Sequence, residues 1–243
     1  MDKLQAIYEP QGRAAEYAKL AVNLYRGCTH GCVYCYAPDV LHMDKAAFHA
    51  ECAPRPGIIQ KLEHDAGVLM REGVTEPVLF CFACDPYSPG ADLTHAALAT
   101  LCGYGVHFTV LTKGEHADDD FNVYSGGDSF GVTLTLTNPA DVRLWEPRAA
   151  SPIRRLYLLK TAHERGIRTW VSLEPVIDPA QTLRLIDMSH TFTDHYKVGK
   201  LNYHAHASTI DWRTFLSEVR TKLDGYGASY YIKADLAAYG EAA

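Results

Sequence analysis

The chain alternates between short apolar stretches and longer amphipathic ones. The short stretches are rich in β-branched and aromatic residues, which is typical of buried strands. The predicted strands cover residues 21–25, 78–83, 107–113, 130–136, 168–176, 195–202 and, as a short seventh, 229–233. The predicted helices cover residues 56–71, 93–103, 152–165, 179–188 and 212–223. Strands that alternate with helices pair in parallel through right-handed crossovers.

Local signals mark several helix ends. Ser151 precedes Pro152, and Asp178 precedes Pro179, so two helices have an N-cap followed by a proline suited to the first turn. Gly166 is placed to end the first of them. About six strand–helix units favour an α/β fold of partial (β/α)6 type, a TIM-like barrel of parallel strands, over an open doubly wound sheet, the alternative that the pattern leaves open. Either fold places functional side chains at the carboxyl ends of the strands.

Composition adds little to this picture. With 243 residues, 47% of them hydrophobic, the chain is expected to form a single domain over residues 1–243. No apolar run approaches the roughly 18 residues of a membrane span, and the first residues lack the apolar core of a secretory signal, so we expect a cytoplasmic location. The seven cysteines are then expected to be reduced or metal-bound. A formal charge of −6 argues against a broad, non-specific phosphate-binding surface.

The strongest chemical signal is a loop, residues 27–36, that directly follows the first predicted strand. It holds Cys28, Cys32 and Cys35 in the spacing C-x3-C-x2-C, with Gly27 and Gly31 free to take positive φ. Thiolates are natural ligands of iron, and such close spacing lets one loop surround one cluster. Three ligands would leave one iron of a [4Fe–4S] cluster open to a cofactor or substrate.

Other interpretations of this loop exist. A structural zinc site would need a fourth ligand, for which His30 and His42 are the candidates. An electron-transfer ferredoxin normally supplies a fourth cysteine, and unreactive buried cysteines rarely share this spacing. A metal site is therefore the favoured interpretation of the three cysteines.

Four stretches together resemble the radical S-adenosylmethionine (SAM) superfamily and, within it, the spore photoproduct lyase-like group. They are residues 23–36, 84–87, 111–113 and 146–155, and the likeness extends over about residues 22–177. The resemblance implies a [4Fe–4S] cluster on Cys28, Cys32 and Cys35, and SAM bound at the open iron. Reductive cleavage would release methionine and a 5′-deoxyadenosyl radical. It also implies an external one-electron reductant of the flavodoxin or ferredoxin type.

The resemblance further assigns roles to individual side chains. Cys84 corresponds to a cysteine that gives a hydrogen atom to the product radical, and Tyr34 and Tyr36 correspond to tyrosines that return the radical to the cofactor. Tyr34 is also expected to pack against the cofactor. Lys113 corresponds to a lysine that binds the cofactor carboxylate. Glu174 ends a strand where related enzymes contact adenine or ribose, and a buried carboxylate there requires a polar partner.

Strand positions suggest further candidates. Thr133 and Thr135 are candidate contacts for the methionine or ribose part of the cofactor. Lys200 and Asn202 share one face of the sixth strand and are candidate substrate ligands if that face looks into the barrel mouth; on an edge strand they would be solvated. Arg148 and Arg154 are candidate anion contacts, and a buried ion pair with Glu146 or a surface position are the alternatives.

Two more cysteines form a C-x2-C pair, Cys81 and Cys84. Strand alternation predicts that they face opposite sides, and two further ligands for a second metal are not evident. The sequence therefore gives no support to a second metal site.

The expected activity is hydrogen abstraction from an organic substrate. A pyrimidine base, in DNA or as a modified nucleotide, is the first hypothesis, with repair and modification or isomerisation both open. Radical SAM chemistry on a small metabolite or peptide is the second, and a non-catalytic zinc or Fe–S binding module is the third. The likeness ends near residue 178, so the segment 178–243 is assigned to the domain without a family pattern, and the substrate does not follow from the resemblance.

Overall fold

The computed structural model describes residues 3–241, and its main element is a curled half-barrel of seven parallel strands. In chain order the strands are β1 Leu20–Val22, β2 Tyr25–Arg26, β3 Ala53–Pro54, β4 Val78–Phe80, β5 Phe108–Thr112, β6 Ser129–Thr133, β7 Arg168–Val176, β8 His195–Lys200 and β9 Tyr230–Ile232. The large sheet has the order β1-β4-β5-β6-β7-β8-β9, and β2 pairs with β3 as a separate antiparallel ribbon. The prediction of a partial TIM-like barrel is confirmed.

Helices follow the strands along the chain. The α-helices within the described residues are α1 Ala37–Val40, α2 Lys45–Ala50, α3 Ile58–Glu72, α4 Asp92–Gly103, α5 Pro139–Trp145, α6 Pro152–Glu164, α7 Pro179–Ser189, α8 Trp212–Gly225 and α9 Ala234–Glu241. Ser151 caps α6 and Asp178 caps α7, each by accepting a backbone N–H three residues on, which confirms both predicted starts. Gly166 follows the C-cap of α6 with φ +76°. Across residues 3–241 we find no helix with the length and apolar character that crossing a bilayer requires.

A separate apolar layer fills the inside of the half-barrel. Its buried members are Ala21, Leu79 and Trp170, packed against Tyr17, Phe82 and Leu111 among others. Gly131 leaves the space for the indole, because a Cβ there would lie 2.3 Å from Trp170. The indole N–H donates to the Thr109 hydroxyl over 3.1 Å. This layer closes the barrel interior below the carboxyl ends of the strands.

Several predicted strands are longer than the observed ones; for example, β6 ends at Thr133 rather than at residue 136, and β8 ends at Lys200 rather than at residue 202. Residues 21–25 do not form one strand: β1 ends at Val22, and Tyr25 belongs to the small ribbon. Strand β4 ends at Phe80 rather than at residue 83. Both ends meet at Asn23, whose side-chain oxygen accepts the backbone N–H groups of Phe82 and Ala83 over 2.9 and 2.8 Å. A side chain thus takes hydrogen bonds that a longer strand would have given to its neighbour.

Candidate active site

A cavity of about 430 Å³ lies at the carboxyl ends of the strands. Its wall comes from the segment before β1, from segments that follow β2, β4, β5, β8 and β9, and from residues within β5, β6 and β7. The predicted site residues that line it are Cys28, Cys32, Tyr34, Cys35, Tyr36, Cys84, Lys113, Thr133, Glu174, Lys200 and Asn202. Thr135 and Arg148 are not part of the lining. One edge of the sheet therefore brings together side chains that are far apart in the sequence.

The loop of three cysteines has a backbone that only glycine allows at two points. Gly27 has φ +80°, and a Cβ there would lie 2.0 Å from the carbonyl oxygen of Glu51. Gly31 has φ +67°, and its Cβ would lie 2.6 Å from the guanidinium of Arg148. Both glycines let neighbouring groups approach the loop, as expected from their place directly before Cys28 and Cys32.

Arg148 was a candidate anion contact, but its side chain lies outside the cavity lining. Its guanidinium donates to the carbonyl oxygen of Thr29 and, over 3.2 Å, to that of His49. Its backbone N–H donates to the carbonyl oxygen of His30 over 3.2 Å. Arg148 is therefore bonded to the backbone around the cysteine loop and does not line the cavity, and its role as a substrate contact stays a prediction.

The three cysteines of the loop are free and border the cavity together. Cys28 and Cys32 are buried, and burial raises the pKa of each thiol to about 11, so both are protonated until a metal ion displaces the proton. Within residues 3–241 no three His, Cys, Asp or Glu side chains converge on a point that would hold a single metal ion. His42, one candidate fourth ligand for zinc, is exposed outside the cavity lining. Three soft sulfur donors around one cavity fit the donor set of an iron–sulfur cluster.

A buried ion pair between Glu146 and Arg155 is linked to this loop through Tyr34. The carboxylate of Glu146 accepts hydrogen bonds from the Arg155 guanidinium and the Tyr34 hydroxyl, and from Thr135 over 2.9 Å. Burial opposes the charge of Glu146, but Arg155 outweighs it, and the pKa of Glu146 lies below its usual value. Thr135 thus donates into this network and does not line the cavity. The arginine that pairs with Glu146 is Arg155, a partner that the sequence did not single out.

Lys113 lies beside this network and faces the cavity. Its backbone N–H donates to the Asp85 carboxylate over 2.7 Å, and its side chain lines the wall next to Cys32. Burial lowers the pKa of Lys113, but Cys32, Glu146 and Asp85 raise it more, and the net direction is upward. Lys113 therefore stays protonated and offers a cation to an anionic group in the cavity.

Glu174 lies across the cavity and has the polar partners that its burial requires. Lys233 donates to both carboxylate oxygens over 2.9 and 3.1 Å, and the Tyr17 hydroxyl donates to one of them. Tyr17 also shares a hydrogen bond of 2.8 Å with Ser172. Sequence reasoning missed Tyr17, which precedes the first strand and carries no motif. Lys233 is 2% exposed. The pattern of the short strand before it did not predict that this lysine is buried.

Lys200 and Asn202 follow the sheet into the cavity mouth. Strand β8 has neighbours on both sides, β7 and β9, so it is not an edge strand. The Lys200 ammonium lies 3.3 Å from the Tyr239 hydroxyl and 5.7 Å from the Trp212 ring centre. The Asn202 amide donates to Asp235 over 2.8 Å. Lys200 and Asn202 both line the cavity. This agrees with the interpretation in which their shared face looks into the barrel mouth, rather than with a solvated edge strand.

Lys197, on the same strand, turns its ammonium toward the barrel interior. It donates to the carbonyl oxygens of Glu16 and Tyr17 over 2.9 and 2.8 Å and lies 4.9 Å from the Tyr17 ring centre. Burial, followed by the charge of Lys233, lowers its pKa from 10.5 to about 8. The folded protein therefore binds fewer protons than the unfolded chain between these two pH values.

This shift predicts a pH dependence of stability. Between pH 8 and pH 10.5 the free energy of unfolding of the wild type is expected to rise relative to that of Lys197→Met, because the unfolded wild type binds more protons there. Outside this window the difference is expected to be constant. Denaturant unfolding of both proteins at several pH values measures it, and profiles that run parallel throughout would contradict the shift.

Cys84 and Tyr36 lie on the same wall as the loop. The Tyr36 hydroxyl donates to the carbonyl oxygen of Phe82 over 3.0 Å. Burial, followed by the neighbouring Cys81, raises the pKa of the Cys84 thiol well above its usual value. The prediction that Cys81 and Cys84 face opposite sides is wrong. Residues 81–84 lie beyond the end of β4, so strand alternation does not apply to them, and both cysteines line the cavity.

Comparisons with known proteins agree with this geometry. In sequence, the chain is 26% identical over 198 residues to the uncharacterized protein MJ0683 of Methanocaldococcus jannaschii, covering 77% of this chain and 72% of that protein. It is 26% identical over 185 residues to the uncharacterized protein Rv2578c of Mycobacterium tuberculosis, covering 71% of this chain and 54% of that protein.

Solved structures show the same fold. A spore photoproduct lyase mutant with bound AdoMet and dinucleoside spore photoproduct superposes with a TM-score of 0.72, at 14% identity, over 96% of this chain and 79% of that one. SuiB of Streptococcus suis bound to S-adenosylmethionine superposes with a TM-score of 0.68, at 13% identity, over 88% of this chain and 50% of that one. The chain thus spans about half the length of SuiB and of the mycobacterial relative.

The family follows from a match along the sequence. The model of the Radical SAM superfamily matches residues 22–191, a segment that begins in β1, contains the cysteine loop and ends just past α7. The family match therefore supports SAM-dependent radical chemistry over the hypothesis of a non-catalytic binding module, which the cysteine spacing alone left open. The match covers more than two thirds of the sequence, and the chain belongs to the radical SAM superfamily, whose cofactors are a [4Fe–4S] cluster and SAM.

Proposed function

We propose that Cys28, Cys32 and Cys35 hold the [4Fe–4S] cluster and that SAM binds beside Lys113 in the same cavity. The observation that carries this proposal is that the three thiols share one cavity with the Lys113 cation and the fixed carboxylate of Glu174. When bound, the cluster and SAM supply a carbon-centred radical that abstracts hydrogen from the substrate. An external one-electron reductant of the flavodoxin or ferredoxin type provides the electron.

The chain's own residues bind and orient the cofactor. Lys113 donates charge-assisted hydrogen bonds to the SAM carboxylate. Glu174, held by Lys233 and Tyr17, accepts hydrogen bonds from ribose hydroxyls, and Thr133 contacts the methionine or ribose part. Tyr34 is held by Glu146 and packs along the cofactor side of the loop.

Three side chains are proposed to handle the radical. Cys84 gives hydrogen to the product radical. Tyr34 and Tyr36 return the radical to the cofactor, the role that the family resemblance implies for them. The Tyr34 hydroxyl donates to the Glu146 carboxylate and the Tyr36 hydroxyl to the carbonyl oxygen of Phe82.

For the substrate we propose a pyrimidine base, in DNA or as a modified nucleotide, with repair and isomerisation as the two reaction types. The fold likeness to a lyase structure that contains a dinucleoside supports this class. Lys200 supports it as well, because its neighbours are a phenol and aromatic rings, which leaves its charge available to a phosphate, and Asn202 lies beside it. A peptide is the second candidate, supported by the fold likeness to SuiB, one structure of which is bound to the precursor peptide SuiA.

The test uses anaerobically reconstituted protein, SAM, a chemical reductant and DNA with deuterated thymidine. Enzyme action on the base transfers deuterium to 5′-deoxyadenosine, which mass spectrometry detects. Formation of 5′-deoxyadenosine without deuterium, across panels of lesion-containing and modified-base DNA, would count against a nucleic-acid substrate. Transfer from deuterated peptides instead would favour the second candidate.

A further inference from the structure

Tyr203 lies at the cavity mouth, just past the end of strand β8, and is 85% exposed. Its backbone has φ +59°, a left-handed conformation that a bulky side chain rarely adopts. Such strain is stored most often at ligand clamps and active sites. A ring this exposed adds little to the core, so the stability of the fold does not account for a tyrosine at this position.

One face of the Tyr203 ring is covered by an arginine from the opposite end of the chain. Arg13 lies in a short 3-10 helix, Gly12–Glu16, and its guanidinium carbon is 5.2 Å from the ring centre. Asp235 lies 3.5 Å from this guanidinium and also accepts the Asn202 amide over 2.8 Å. Arg13 lines the cavity and keeps 43% of its side chain exposed. The mouth therefore presents an open ring beside a cation that is held in place.

The charges around this ring favour an anionic ligand. The Lys200 ammonium, at the end of β8, lies 3.3 Å from the Tyr239 hydroxyl and 5.7 Å from the Trp212 ring centre, so its contacts leave its charge uncompensated. Arg13 and Lys200 thus offer two positive charges beside the carboxylate of Asp235. A formal charge of −6 for the whole chain fits a contact that is confined to a few phosphates.

We propose that Tyr203 is a stacking platform for a base of an unpaired nucleic-acid strand, and that Arg13 and Lys200 bind the phosphates next to that base. A ring flanked by cations matches such a strand, because each nucleotide carries a planar base and an anionic phosphate. The base on Tyr203 neighbours the base that enters the cavity. This inference rests on the proposed function, which supplies the base in the cavity, and adds that the strand is bound unpaired, since a base inside a duplex cannot reach the cavity.

A second arginine–tyrosine pair provides a matched control. Arg154 lies 5.2 Å from the ring centre of Tyr157, which is 55% exposed on helix α6. This pair is not part of the cavity lining, and Arg154 is bonded to the Asp118 carboxylate over 2.8 Å. An arginine on a tyrosine is therefore no sign of a binding site by itself. The cavity mouth and the left-handed backbone distinguish Tyr203.

The first experiment measures binding without turnover. Anaerobic holoprotein with SAM and no reductant is titrated into a fluorescein-labelled single-stranded oligothymidylate of about eight nucleotides, and fluorescence anisotropy gives the Kd. We expect Tyr203→Leu to weaken binding by about 10-fold, whereas Tyr203→Phe and Tyr157→Leu bind like the wild type. Arg13→Gln should lower the slope of log affinity against log salt by about 0.7, the value for one lost phosphate contact on a single strand.

Glycine at position 203 separates stacking from folding. Tyr203→Gly removes the ring but suits a φ of +59°, so urea unfolding should give a stability close to that of the wild type. Its binding of oligothymidylate should weaken as much as that of Tyr203→Leu. A Tyr203→Gly variant that keeps the wild-type affinity would overturn the platform.

Photocrosslinking identifies the ring that the base contacts. The oligonucleotide carries 5-iodouracil, and peptide mass spectrometry locates the crosslink, which we expect on Tyr203 in the wild type and in Tyr157→Leu. Crosslinks confined to other peptides, or equal affinities of wild type and Tyr203→Leu, overturn this inference alone. Tighter binding of a labelled peptide of alternating tyrosine and glutamate overturns it in favour of the peptide substrate. A holoprotein that cleaves SAM but binds no oligonucleotide overturns the proposed nucleic-acid substrate with it.

Discussion

Replacing Cys28, Cys32 and Cys35 together by alanine is expected to abolish cluster binding and, with it, the release of 5′-deoxyadenosine from SAM. Each substitution removes a soft donor from the cavity wall, and the remaining lining offers Cys84 and Cys81 on a different segment. We expect the rate to fall by more than about 1,000-fold, equivalent to about 4 kcal/mol of barrier. Iron and sulfide analysis, with quantitation of 5′-deoxyadenosine, measures both effects.

Cys102→Ala is the matched control for this experiment. Cys102 is exposed on α4 and lies outside the cavity lining, so its loss should leave iron content and SAM cleavage unchanged. Circular dichroism on the triple variant separates loss of the cluster from loss of the fold. If the folded triple variant kept its full content of iron and sulfide, Cys28, Cys32 and Cys35 could not be the ligands.

The second large effect is expected at the buried ion pair below the loop. Arg155→Met leaves the carboxylate of Glu146 uncompensated in a site where both side chains are 0% exposed. It also removes the hydrogen bonds from Arg155 to the carbonyl oxygens of Ala150 and Thr133, each 2.8 Å long. Removing one partner of such a pair costs about 3–5 kcal/mol. For a chain of this size, that lowers the melting temperature by roughly 6–20 °C.

Lys160→Met on the same helix provides the comparison. Lys160 and Glu164 form an exposed pair at 3.6 Å, and its loss should cost less than about 0.5 kcal/mol. Urea unfolding of both variants measures the difference. The double variant Glu146→Gln/Arg155→Met should recover part of the loss, since no unpaired charge remains buried. Equal stabilities of Arg155→Met and Lys160→Met would contradict the ion pair as a major support of the loop.

Much of the fold could be predicted because its signals are local. Proline and N-cap pairs at Ser151 and Asp178 depend on side chains within three residues, and they start helices where expected. Strand β7 has the bounds predicted from its apolar run, residues 168–176. Alternation of strands and helices then leaves few ways to connect a parallel sheet, so the half-barrel follows from the order of the elements. The predicted strand ends are less accurate. At the ends of β1 and β4, Asn23 replaces a neighbouring strand as hydrogen-bond acceptor, and β6 and β8 also end earlier than predicted.

The cysteine loop was visible for the same reason. The three cysteines proposed as ligands lie within eight residues, and Gly27 and Gly31 allow the backbone that the loop requires. Strand-end positions also pointed to Lys113, Glu174, Lys200 and Asn202, since the carboxyl ends of parallel strands meet at one edge. Each of these four side chains lines the cavity.

By itself, the sequence determined the parallel half-barrel, the helix starts and the loop that holds the three cysteines. Only the tertiary structure decided which side chains pair across it: Arg155 with Glu146, and Lys233 and Tyr17 with Glu174. The physical reason is distance along the chain. Tyr17 and Glu174 are 157 positions apart, and the curl of the sheet, not any periodicity, brings their polar atoms together.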